Sequence, residues 1–150
     1  MNDPGLASYL TAIYQKRRLE TMALFSDTNS TLNALADKFS LGIVTNGTTD
    51  PEWMGLQGIF RFVVMAEEHG VQKPDTRIFE IALDQAGCDP HEIIHIGDSL
   101  EDDIKGANDA GITSVWLNPR VHQNTTGIHP TYEVSGLAEL AIKKYPIEKK

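Results

Sequence analysis

The stretch Ile94-His95-Ile96-Gly97-Asp98-Ser99-Leu100-Glu101-Asp102-Asp103 closes an apolar run on a glycine and then loads the next turn with carboxylates. Asp98 is a hard oxygen donor of the kind that Mg²⁺ takes in ones or twos, with water and substrate phosphate completing the shell. Asp103 falls within the first turns of the next element, from which it reaches back toward the same ion through water. Two other stretches carry complementary chemistry. Thr45-Asn46-Gly47 offers a hydroxyl, an amide and a backbone free to turn tightly, so that N–H groups point at an anion. Lys73, just ahead of Pro74-Asp75, is a compact positive charge suited to phosphate oxygens. Each has a plainer reading by itself. Thr45-Asn46-Gly47 is a strand-to-turn signal, Lys73 a solvated lysine, and Asp98-Ser99 a helix N-cap worth about 1 kcal/mol. Glu101, Asp102 and Asp103 also suit a helix N-terminus through its dipole. Their co-occurrence in order at strand ends, rather than any one of them, favours a site for phosphate or a metal over the plainer readings.

Strands and helices must alternate to bring these residues together. Residues 6–24 show helical spacing of Leu6, Tyr9, Leu10, Ile13 and Tyr14, and a second helix is expected from Ser30 or Thr31 to Phe39. LGIVTNG (residues 41–47) reads as a buried strand, Phe62 to Met65 as another, and TRIFEIALDQAG (76–87) as a helix stopped by Gly87. EIIHIGD is a strand, LEDDIKGANDAG a helix ending at Gly111, and ITSVWLN a strand. RVHQNTTGIHPT is loop-like, and SGLAELAIKK is a closing helix. This order implies an α/β fold, a parallel sheet with helices on both faces. Such sheets bind ligands at the carboxyl ends of their strands. Those ends carry Thr45-Asn46-Gly47, Glu67-Glu68, Asp98-Ser99 and Asn118.

The 150 residues suit one domain. A composition of 41% hydrophobic and 23% charged residues is ordinary for a globular protein. A net charge of -8 argues against nucleic acid or an anionic membrane as partner. One cysteine, Cys88, allows no internal disulfide and fits a reducing compartment. With no signal pattern and no run long enough to span a bilayer, a cytoplasmic location is expected.

LGIVTNG, Lys73-Pro74-Asp75 and IHIGDSLEDDIKGANDAGI resemble, in that order, the second, third and fourth motifs of the haloacid dehalogenase superfamily, most of whose members are Mg²⁺-dependent phosphatases. The resemblance covers roughly residues 20 to 140 and implies that family's Rossmannoid three-layer sandwich. It further implies that Thr45 and Asn46 contact the phosphoryl group, with Gly47 turning the loop. Lys73 would neutralise charge on nucleophile and phosphate, Asp98 and Asp103 would hold Mg²⁺, and His95 would have no chemical role. The substrate class implied is a small phosphorylated metabolite.

One part of the pattern is missing. The family's first motif, Asp-x-Asp-Gly-Thr at the end of the central strand, supplies the aspartate nucleophile and the acid/base. No match stands at its expected place, so the first, central strand is expected to be absent too. Residues 1–24 then read as the remnant of a helical cap or N-terminal helix, and 25–150 as the core domain of an N-terminally truncated chain. Asp27, in Leu24-Phe25-Ser26-Asp27-Thr28-Asn29-Ser30-Thr31-Leu32, mimics the missing motif. It lies too close to Thr45 to leave room for the loop that closes over a nucleophile, and a linker reading fits its spacing better.

Three outcomes follow. The chain is a phosphatase-like hydrolase weakly active or inactive alone, or a non-catalytic binding module. Alternatively, a partner chain or a second copy in a homo-oligomer supplies the missing strand.

Overall fold

The computed structural model describes Tyr9, residues 28–48 and residues 50–142. The helix expected over residues 6–24, apart from Tyr9, and the candidate nucleophile Asp27 lie outside the described residues. Helix α1 (Thr28–Ala36) buries Thr28, Thr31 and Leu35, spaced three and four apart and therefore on one face. It begins earlier than the Ser30 or Thr31 start expected, because two buried threonines belong to that face. The chain leaves regular helix at Ala36, although the Phe39 N–H still bonds to the Leu35 carbonyl at 2.8 Å.

Strands β1 (Gly42–Thr45) and β2 (Phe62–Met65) pair in parallel, from Gly42 opposite Phe62 to Thr45 opposite Met65. Between them a 3₁₀ turn (Pro51–Met54) is capped by Asp50, whose carboxylate accepts the Glu52 N–H, and is stopped by Gly55 at φ 80°. A single turn, α2 (Ala66–His69), follows β2 and takes up Glu67 and Glu68, which the sequence had placed only at a strand end. Helix α3 (Thr76–Ala86) starts on an Asp75 cap, buries Ile78, Phe79 and Ala82, and ends at Gly87.

Strand β3 (Ile94–Gly97) leads into a wide turn, Leu100–Lys105, in which the Ile104 N–H reaches back to the Ser99 carbonyl in a π-type bond of 3.1 Å. The helix expected over residues 100–111 is therefore this turn followed by α4 (Gly106–Asp109). Strands β4 (Thr113–Leu117) and β5 (Tyr132–Val134) and helix α5 (Leu137–Ile142) complete the chain. Strand β5 is unexpected: three residues with Glu133 in the middle carry little periodic signal. It pairs in parallel with β4, as β4 does with β3.

Helices cover both faces. Leu35 of α1 and Leu140 of α5 pack with Val115 of β4 and Val134 of β5. Ser114 points to the opposite face from Val115, and there its hydroxyl donates to Asn108 of α4 at 2.7 Å. A second core joins Val64 of β2 to Ile78, Phe79 and Ala82 of α3 and to Ala107 of α4.

The strands form two parallel pieces, β1-β2 and β3-β4-β5. Among the described residues β1 pairs only with β2, and β3 only with β4. Burial follows that division. Strand β4, flanked on both sides, buries Ser114, Val115 and Trp116. No residue of β1 or β3 is fully buried, and Ile96 is 37% exposed. In a sheet covered on both faces the inner strands are the driest; here β1 and β3 are not.

Candidate active site

Lys73 lies where the two pieces meet. It follows β2 and α2 in the chain, yet its backbone is fixed by the turn after β1. The Asn46 side-chain carbonyl accepts the Lys73 N–H at 2.8 Å, and the Asn46 amide donates to the Lys73 carbonyl at 3.0 Å. Both ends of one side chain thus grip one residue's backbone. Replacing Asn46 by alanine removes both bonds at an exposed position, so urea denaturation is expected to show a loss of about 1 kcal/mol.

From that base Lys73 extends to Asp103, with Nζ 2.5 Å from Oδ1. Asp103 is 4% exposed. Its Oδ1 also lies 3.1 Å from His95 Nε2, and its Oδ2 accepts the Ser99 N–H at 3.1 Å. Burial alone would raise this carboxyl; hydrogen bonds from His95 and Lys73 outweigh burial and hold it well below the usual carboxylate range. Asp103 is therefore an anion throughout the physiological range, and among the described residues its carboxylate meets hydrogen-bond donors from Lys73, His95 and Ser99.

The sequence-predicted residues divide into two groups. Asn46, Lys73 and Asp103 are joined in one hydrogen-bonded chain that ties the turn after β1 to the turn after β3. Asp98 follows β3 directly, exposed, with no side-chain hydrogen bond among the described residues. Its backbone carbonyl is held by the Trp116 indole N–H at 3.0 Å. Ser99 is the N-cap that the plainer reading expected, its hydroxyl accepting the Asp102 N–H at 3.0 Å. The Thr45 hydroxyl accepts the Gly47 N–H at 2.9 Å. That N–H is thus used inside the turn, while the hydroxyl keeps its own proton to donate.

His95, Trp116 and Asn118 are the residues whose roles here the sequence did not disclose. Asn118 is buried and ties down the loop after β4, donating to the His122 carbonyl and to Glu133 and accepting the His122 N–H. Its place at a strand end was the available signal. His95 alternates with Ile94 and Ile96 along β3, and nothing in that pattern reveals an acid eight residues away as its partner. A cavity of about 320 Å³ lies between the 3₁₀ turn and β2, lined by residues such as Leu56, Phe60, Val63, Met65 and Glu68; none of the candidate site residues lines it.

Asp98 fits a divalent cation. It is an exposed, hard oxygen donor next in the chain to Ser99, whose N–H holds Asp103, and Mg²⁺ commonly binds through one or two carboxylates with water and phosphate. Among the described residues no group of three or more His, Cys, Asp or Glu side chains gathers as a metal cage. An ion at Asp98 would accordingly be shared with substrate and solvent. Asp103, both of whose oxygens already accept hydrogen bonds, would have to give one up to ligate such an ion directly. No helix among the described residues is long and apolar enough to cross a membrane.

Residues 2–117 match the sequence profile of the haloacid dehalogenase-like hydrolases. The chain is 40% identical over 117 residues to the pyrimidine 5'-nucleotidase YjjG of Escherichia coli K12, covering 74% of this chain and 52% of that protein. It is 33% identical over 141 residues to the glyceraldehyde 3-phosphate phosphatase of Methanothermobacter thermautotrophicus, covering 85% and 62%. Its fold is similar to that of a 2-haloacid dehalogenase from Pseudomonas syringae pv. Tomato DC3000, with a TM-score of 0.82, 34% identity, and coverage of 93% and 62%. It is also similar to the HAD-hydrolase YfnB of Bacillus subtilis, solved with bound magnesium, with a TM-score of 0.77, 32% identity, and coverage of 85% and 58%. The chain thus spans between about half and two-thirds of the length of these relatives. Matched over most of its own residues, it belongs to the haloacid dehalogenase-like hydrolase family.

Proposed function

We propose that this chain carries the phosphate- and metal-holding half of a phosphoryl-transfer site that acts on a small phosphorylated metabolite. The observation that carries the reading is the linkage Asn46–Lys73–Asp103 at the carboxyl ends of β1 and β3, with Asp98 free beside it. Relatives that act on phosphate esters, a nucleotidase and a sugar-phosphate phosphatase, support it. Lys73 neutralises phosphoryl oxygens and the Thr45 hydroxyl donates to one of them. Asp98 would hold Mg²⁺, which, when bound, supplies positive charge against the phosphate. Asp103 keeps the lysine extended. The single free cysteine, Cys88, suits a reducing cytoplasm.

Hydrolysis by this route also needs a carboxylate nucleophile, and none stands in the described site. A strand filling the interval between β1 and β3 would pair with both edges, cover Ile96, and end beside Lys73 and Asp98. The half-buried state of β1 and β3 favours this second element of the proposal: a partner chain, or a second copy of this one, supplies the strand and its acid. One strand would occupy a space roughly 10 Å across, twice the usual inter-strand spacing.

Hydrolysis of p-nitrophenyl phosphate, with and without Mg²⁺, tests the reading on the chain and on its Asp98→Asn and Asp27→Asn variants. Turnover by the chain alone is expected to be negligible. Mg²⁺-dependent turnover lost in both variants would instead make Asp27 the nucleophile and remove the need for a partner. Asp98→Asn is further expected to weaken Mg²⁺ binding at least about ten-fold, as measured by calorimetry, while leaving the melting temperature unchanged, since its carboxylate holds nothing in the fold.

A further inference from the structure

His95 is a nearly buried titratable side chain that the reading above leaves unused. It sits on β3 with its side chain 13% exposed, and its Nε2 lies 3.1 Å from Asp103 Oδ1. The same oxygen accepts from Lys73, while Oδ2 accepts from Ser99. A carboxylate oxygen has two lone-pair sites, so both donors fit on Oδ1 together, and an ionised carboxylate only accepts. The proton on this side of the ring is therefore on Nε2. The ring is braced from α3 by Phe79, edge-on at 5.0 Å between centroids and 87° between planes. Phe79 is itself 1% exposed and immobilised in the core.

We propose that His95 is a positioning residue, fixing the plane of the Asp103 carboxylate so that the Lys73 ammonium is held in one direction between the turns that follow β1 and β3. An aspartate carboxylate turns easily about its last torsion, which is broad and two-fold. The Ser99 N–H holds one oxygen and leaves the other free to swing. A second donor on the second oxygen removes that freedom, and Lys73 then meets a fixed acceptor. The purpose of this arrangement rests on the phosphoryl-site reading; its geometry does not.

Two substitutions separate positioning from packing. His95→Phe keeps the ring against Phe79 and removes the donor. His95→Gln gives up the ring and keeps an N–H near the Nε2 position. The readout is reductive methylation of the native chain, followed at Lys73 by mass spectrometry, with the half-exposed Lys105 as internal control. Methylation of Lys73 is expected to rise roughly ten-fold in His95→Phe, the equivalent of one hydrogen bond to a charged group. It should stay near the native rate in His95→Gln, with Lys105 unchanged in both. A rise in His95→Gln with none in His95→Phe would overturn the proposal and leave His95 a packing residue; so would no rise in either. Should His95→Phe fail to fold, His95→Asn, whose amide falls short of Asp103, takes its place with the same expectation. Inorganic phosphate with Mg²⁺ supplies the distinguishing arm. If it does not slow methylation of Lys73 in the native chain, the phosphoryl-site reading fails, while the variants still decide the role of His95.

Discussion

Replacing Asp103 by alanine is expected to lower the unfolding free energy by about 3–5 kcal/mol, the cost of removing one partner from a buried ion pair. The size follows from what remains. Lys73, His95 and the Ser99 N–H all lose an acceptor in a place from which solvent is largely excluded. Urea denaturation followed by circular dichroism measures it, and a loss below about 1 kcal/mol would mean that the pair does not form in solution. Acid gives the same residue a second signature. A carboxyl held below its ordinary value in the folded state contributes stability that is present above the unfolded pKa, near 3.9, and is lost as pH falls through the folded one. The difference between the native chain and Asp103→Ala is therefore expected to hold from pH 8 to about pH 5 and to shrink only below about pH 4.

Gly97→Ala is expected to be nearly as damaging, through space rather than charge. A Cβ at Gly97 would stand 2.1 Å from Asp103 Cγ and 2.3 Å from both its Cβ and its Oδ2. The obstruction is the root of the side chain as well as its tip, so β3 or the wide turn after it must move. Overpacking of this kind costs about 1–3 kcal/mol, and the upper end is expected because the shift also breaks the bonds to Lys73 and His95. Gly136→Ala, with nothing within 4 Å of the added carbon, is the control and should stay within about 0.5 kcal/mol of the native chain. Equal stability of the two variants would show that Gly97 and Asp103 do not approach this closely in solution.

Gly97 also shows what the sequence could and could not disclose. Its place between a strand and a run of acids marked a turn, and the rule that sites lie at the carboxyl ends of parallel strands selected Thr45, Asn46 and Asp98 from local pattern alone. Lys73 and Asp103 were selected as well, but as separate contributors to phosphate and metal. Their pairing joins residues 30 apart and depends on how two pieces of sheet are set together, which no local spacing encodes. Asn46 was read as a phosphate contact; its amide is spent on the Lys73 backbone, a role visible only once the chain has returned from β2. His95 was passed over because a polar residue within an apolar strand has no partner until the next element folds back. The early start of α1 and the short β5 were missed for an energetic reason. Buried threonines and a three-residue strand around Glu133 are stabilised by tertiary packing, which overrides propensity. The pairing of the described strands in two pieces, β1-β2 and β3-β4-β5, is not legible in composition or hydropathy.

The most direct test of the half-site is a calorimetric titration of inorganic phosphate into the purified chain, with and without Mg²⁺, compared with Asp98→Asn. Binding that requires Mg²⁺ and is lost in Asp98→Asn is the predicted result. Binding of equal strength with and without the ion, in both proteins, would contradict the account. Phosphate would then be held without the metal that Asp98 is proposed to carry.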